Sequence, residues 1–114
     1  MKARTFVNLT PDERARLGRD IGGRLVGVTE KEWARWIAYV AQNGLPRAVA
    51  LARAMVASPS VRPGVKQTYR EALRAVREWP VLKRLPAEDL VEVLHHARMA
   101  LVARRAAAWE EEDC

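Results

Sequence analysis

The sequence predicts an all-α fold, a compact bundle of about five helices in a single domain, from three observations. Apolar residues recur at i, i+3, i+4 and i+7 in several segments. Capping residues and Gly or Pro stops punctuate those segments at helix-length intervals. No stretch alternates polar and apolar residues with the two-residue period of a half-buried strand. With 114 residues, 49% of them hydrophobic and 30% charged, the chain can bury roughly 65% of its unfolded surface and needs no disulfide or metal to fold.

Residues 1–9 read as an N-terminal extension, 10–109 as the helical bundle domain and 110–114 as an acidic disordered tail. Thr10-Pro11-Asp12-Glu13 opens the first helix: Thr10 can accept from the Glu13 amide, Glu13 can reach back, and Pro11 suits a first turn. That helix is short and mostly polar, and Gly22-Gly23 should end it. Thr29-Glu30-Lys31-Glu32 repeats the capping pattern and opens a helix whose Trp33, Trp36, Ile37 and Val40 share one buried face. Asn43-Gly44-Leu45-Pro46 stops it and starts another. This third helix, about 46 to 57, is nearly all Ala, Val, Leu and Met, which makes it the expected central helix. Ser58 to Gly64 is a loop by composition. A fourth helix runs from 65 to 79, halted by Pro80, with a single turn over Val81 to Leu85. Pro86 begins the last helix, where Glu88 and Asp89 favour the dipole and Leu90, Val93, Leu94, Ala97, Leu101 and Ala108 hold one face down to Trp109.

The fourth helix carries the clearest functional signal. Lys66, Arg70, Arg74 and Arg77 fall within roughly 80° of arc at about 100° per residue, a single cationic stripe. Val65, Tyr69, Ala72, Val76 and Trp79 form a separate apolar arc, and Glu71 and Glu78 are expected on the far side of the stripe, away from the core. Lys83, Arg84, Arg98 and Arg105 extend the same surface in this reading. The formal charge is +6, and leaving out Glu110, Glu111, Glu112 and Asp113 raises it to +10. Four lysines stand against sixteen arginines. The planar guanidinium fork suits bidentate phosphate contact. GC-rich codons also favour arginine, but they do not sort charge onto one helix face.

Catalytic equipment is absent from the sequence, and no enzyme activity, cofactor, metal or small-molecule substrate is expected. His95 and His96 are adjacent, so on a helix they point about 100° apart and cannot share a metal, and no Cys or acidic cluster supports them. Gly22-Gly23 lacks the context of a phosphate loop. Trp33 and Trp36 belong to the core, whereas Trp79 and Trp109, each at a helix end, are candidates for a protein interface. A helix-turn-helix reading of residues 65 to 109 fails on the long last helix and the Pro80 to Pro86 interruption. Cys114, the only cysteine, permits no intrachain disulfide, no apolar stretch follows Met1-Lys2-Ala3-Arg4 to make a signal peptide, and no uncharged run is long enough to span a bilayer. A cytoplasmic location without membrane partners is expected.

The segment Ile37-Ala38-Tyr39-Val40-Ala41-Gln42-Asn43-Gly44-Leu45, followed by Ala48, Ala50 and Leu51, resembles the small helical subunit of the type III-B (Cmr) CRISPR effector complex. Tyr69 with Leu73 and Trp79 is similar to that family's next helix, and Leu90 through Trp109 to its long final one, so the likeness covers most of residues 29 to 109. The resemblance implies a non-catalytic structural subunit in antiviral defence. Its partners would be the other subunits of the effector complex, with guide RNA and target RNA held against its basic face. The residues alone also admit a helical protein-interaction module, a regulator or phage protein, whose arginines meet an acidic protein partner.

Overall fold

The computed structural model describes residues 6–112 and is all-helical, 82% of the chain lying in helices. Five α-helices follow in order: α1 Pro11–Arg24, α2 Glu30–Asn43, α3 Leu45–Ala57, α4 Pro63–Glu78 and α5 Ala87–Glu112, with a 3-10 turn at Pro80–Arg84 between the last two. α1 lies along α5 and α3 along α4, and α2 joins the pairs by packing on α5, α3 and α4. The central helix is therefore α2, not α3 as the sequence suggested. Only Leu45, Ala48 and Ala52 of α3 are buried; half of its exposed positions are alanines, Ala50, Ala54 and Ala57, small enough to face water at little cost.

Trp33 and Trp36 of α2 are fully buried, their ring centroids 5.4 Å apart. Burial would leave each indole N–H unsatisfied unless it found an acceptor. Trp33 Nε1 donates to the Leu94 carbonyl of α5 at 3.1 Å, and Trp36 Nε1 to the Ala48 carbonyl of α3 at 3.5 Å. The two rings thus pin α2 to both neighbours as well as filling the core.

The α1 capping box forms in full: Glu13 N donates to Thr10 Oγ1 at 3.1 Å and Thr10 N to Glu13 Oε1 at 2.9 Å. At α2 only half of the pattern forms. Thr29 accepts from Glu32 N, but the Glu32 carboxylate pairs with Arg35 instead of reaching back. Gly44 has φ 85° and ψ 160°, a region open in practice to glycine alone, which lets one residue separate α2 from α3.

Gly22-Gly23 does not end α1. The helix continues to Arg24, and Gly18 and Gly22, one turn apart, are buried against α5. A Cβ at Gly18 would stand 2.3 Å from Cβ of His96, and one at Gly22 would stand 2.5 Å from the Ala97 carbonyl oxygen. Glycine costs a helix about 1 kcal/mol relative to alanine. Here that cost is offset by close approach of two backbones, which lets Ile21 and Leu25 reach the core. Arg14 adds a polar tie, bonding to Glu92 and lying 3.9 Å from Asp89 of α5 while also donating to the Leu9 carbonyl. The bond to Glu92 raises the Arg14 pKa.

The last helix runs through Glu112, and Ala108, expected on its buried face, is exposed, because among the described residues that face ends at Leu101. Asp113 and Cys114 lie outside the described residues, as do residues 1–5 of the N-terminal extension. Among the described residues no helix is long and apolar enough to cross a membrane.

Candidate nucleic-acid interface

The stripe helix forms where the sequence places it, but its buried arc is wider than the apolar residues alone mark. Thr68, Tyr69, Glu71, Ala72, Ala75 and Val76 are all buried. At about 100° per residue they sweep roughly 160°, and Glu71 occupies one edge of that arc. Glu71, expected to face solvent, is 6% exposed.

The reason lies in the α1–α2 linker. Glu71 Oε1 accepts from the Val26 amide at 2.6 Å and from Arg74 Nη2 at 2.7 Å. Arg74 also donates to the Arg24 carbonyl, and Gln67 Nε2 to the Val26 carbonyl at 2.8 Å. From α5, Arg104 Nη1 reaches the Gly22 and Leu25 carbonyls at 2.7 and 2.9 Å. Helix C-termini leave carbonyls without intrahelical donors and carry partial negative charge. Two guanidiniums from different helices satisfy those of α1, and a carboxylate and an amide fix the linker after it. Gly27, at φ 68°, then turns the chain toward α2.

Arg74 is therefore a structural residue, and its place in the stripe is corrected accordingly. Arg98 is also engaged: Nε and Nη2 both donate to Glu30 Oε1 of α2, at 3.0 and 2.8 Å. What remains on α4 is Lys66, half-buried, with Arg70 and Arg77 exposed, none holding an ion-pair partner among the described residues. Arg62, exposed at the N-cap and passed over as loop in the sequence, extends the row by one turn. It donates no capping bond, and no acidic residue sits in the first turn of α4.

The other predicted contacts do not extend this row. Lys83 and Arg84 are exposed on the 3-10 turn, and they stand with Arg53 of α3 at the edge of a separate apolar groove. Arg105 is exposed on α5, which packs on α1 and α2 and not along α4. Arg53 was overlooked because α3 read as central, although Arg47 and Arg53, the two charges of that helix, mark its wet side. Trp79 is half-buried beneath the Arg24 guanidinium, 5.7 Å from its ring centroid, and so is already partnered, whereas Trp109 is 70% exposed. Among the described residues no group of three or more His, Cys, Asp or Glu is placed to hold a metal ion.

The arrangement can attract a polyanion along α4 without reading its sequence, since phosphate contacts position a nucleic acid and carry no base information. No family model, no curated protein and no solved structure matches the chain.

Proposed function

We propose that the protein is a non-catalytic, RNA-contacting structural subunit of a ribonucleoprotein, of the kind that its resemblance to the small CRISPR effector subunit implies. Lys66, Arg70 and Arg77 would meet guide or target RNA phosphates, and other faces of the bundle would pack on neighbouring subunits. The observation that carries this reading is the row of unpaired cations on one face of a helix whose other side is locked into the core. A rigid cationic row loses little entropy on meeting a phosphate backbone, and it releases condensed counterions when it does.

Fluorescence anisotropy with labelled single-stranded RNA at two salt concentrations tests the proposal. Three contacts at about −0.7 each give a log–log salt slope near −2, so a fourfold rise in salt weakens binding about twentyfold. Arg70→Glu with Arg77→Glu should abolish most of the affinity and flatten the slope. Equal affinity for wild type and double variant would overturn the assignment, and co-purification with guide RNA gives a second readout inside the assembly.

A second reading, a helical module for an acidic protein partner, is favoured by the apolar groove edged by Arg53, Lys83 and Arg84. Binding of an acidic partner that survives Arg70→Glu with Arg77→Glu, without RNA affinity in either form, would select it.

A further inference from the structure

We infer that the apolar groove binds a single-chain lipid phosphate, its hydrocarbon tail lying in the trough and its head at the cationic edge. The groove has a volume of about 790 Å3 and is bordered by α2, α3, the 3-10 turn and the start of α5. Small-molecule sites typically enclose roughly 300–1,000 Å3. Val40, Leu45, Leu82, Leu85 and Leu90 line it although each belongs to the buried core, so the groove opens onto the core itself. On α3, Leu45, Val49 and Arg53 stand four residues apart and border it along about 12 Å of helix. Phe6, 52% exposed, adds to the wall, and its neighbour Val7 ties that segment to the 3-10 turn by donating to the Arg84 carbonyl at 2.9 Å.

The lining selects its ligand by what it offers and by what it lacks. Its charged side chains are Arg53, Lys83 and Arg84, all exposed and none in an ion pair among the described residues. α3 and the 3-10 turn hold one further cation, Arg47, and no acid. Glu88 and Asp89 open α5 close by but do not line the groove, and Asp89 lies 3.9 Å from Arg14 of α1. An anionic head is therefore favoured. Three cations suit a phosphate monoester, which carries close to two negative charges near neutral pH and takes charge-assisted bonds from guanidinium. No lining residue bears a carboxylate, amide or hydroxyl side chain. No side chain there can match the hydroxyls of a sugar or the edge of a nucleobase, whereas a hydrocarbon tail requires apolar contact alone.

Size favours one small molecule over a protein segment. Thirteen residues line the groove, against roughly 20–30 on one side of a stable protein interface. The site is independent of RNA binding, since Arg70 and Arg77 lie on α4.

Isothermal titration calorimetry of the full chain with dodecyl phosphate, kept below its micelle-forming concentration, provides the test, with circular dichroism confirming that each variant is folded. Wild type should bind one equivalent with a negative heat-capacity change, the mark of buried apolar surface. Inorganic phosphate should bind far more weakly, because it leaves the trough unfilled. Arg53→Glu with Arg84→Glu, which reverses the rim, should lower affinity by about tenfold or more. Phe6→Ala, at an exposed wall position, should lower it by about threefold. Arg70→Glu with Arg77→Glu makes the same change in net charge on another face and should leave affinity within about twofold of wild type. Absence of saturable one-to-one binding, equal losses in the two double variants, or inorganic phosphate binding as tightly as the dodecyl ester would each overturn the inference. Tight binding of a polyglutamate peptide without binding of dodecyl phosphate would also overturn it, in favour of an acidic protein partner.

Discussion

Replacing Gly22 by alanine adds one methyl to a helix, and by propensity alone it should stabilise α1 by about 1 kcal/mol. The packing reverses that sign. The new Cβ would stand 2.5 Å from the Ala97 carbonyl oxygen and 2.7 Å from Cβ of Ala100. Relief requires close to an ångström of movement, and the obstacle is the backbone of α5, not the tip of a flexible side chain. The two helices must therefore separate along the interface that buries Ile21, Leu25, Val93 and Leu94. Overpacking of this kind costs about 1–3 kcal/mol, more where backbone must shift, so a net loss of about 1–2 kcal/mol is expected. Gly23 is the control: it is helical and exposed, with nothing within 4 Å of its would-be Cβ. Gly23→Ala should gain about 0.5 kcal/mol. Urea unfolding with unchanged m-values, supported by thermal melts, measures both. At about 4 °C per kcal/mol, Gly22→Ala should melt about 4–8 °C below wild type and Gly23→Ala about 2 °C above it. Equal stability of Gly22→Ala and wild type, or a parallel fall in both variants, would refute the close-approach argument.

Glu71→Ala should destabilise the fold by about 3 kcal/mol in urea unfolding, because it strands the half-buried Arg74 guanidinium and the Val26 amide together, while Arg70→Ala stays within about 0.5 kcal/mol. Arg104→Ala should cost about 1–2 kcal/mol by removing two bonds to α1 carbonyls, whereas the adjacent Arg105→Ala should be near neutral; equal effects would show that the α1 cap is not what Arg104 supplies. The Thr10 backbone and hydroxyl bonds lower the Glu13 pKa below its ordinary value. The stability Glu13 contributes is thus complete above the unfolded-state value and is lost as pH falls through the depressed folded one. Thr10→Ala, compared with wild type across the acid limb, should shrink that loss, and superimposable limbs would show that the capping box contributes nothing to it.

The helices were legible because their punctuation is local. Thr10, Thr29, Pro80 and Pro86 act through bonds or steric blocks within a turn, and Trp33 with Trp36 shows its buried face by spacing alone. The α1–α5 pairing was not, because the contact surface of α1 is built partly from glycine, which carries no hydrophobic signal. Glu71 misled for a related cause: its partner is an amide 45 positions away, and no periodicity registers that. Of the cationic stripe, Arg70 and Arg77 were readable as exposed, but Arg74, identical in type and on the same helix, was not distinguishable until the linker lay beside it. The groove could not be seen at all, since four helical elements and Phe6 of the N-terminal segment contribute its walls.

The guanidinium of Arg104 ends on carbonyls some eighty positions earlier in the chain, and this orders events during synthesis. A nascent polypeptide that has released only its first four helices has nothing to lay against Gly18 and Gly22, nor the second cation for the exposed carbonyls of Gly22 and Leu25. Its opening segment must wait, unsheltered, until the closing one leaves the ribosome. The bundle is therefore expected to acquire its native arrangement in one step once α5 is available rather than helix by helix as it emerges.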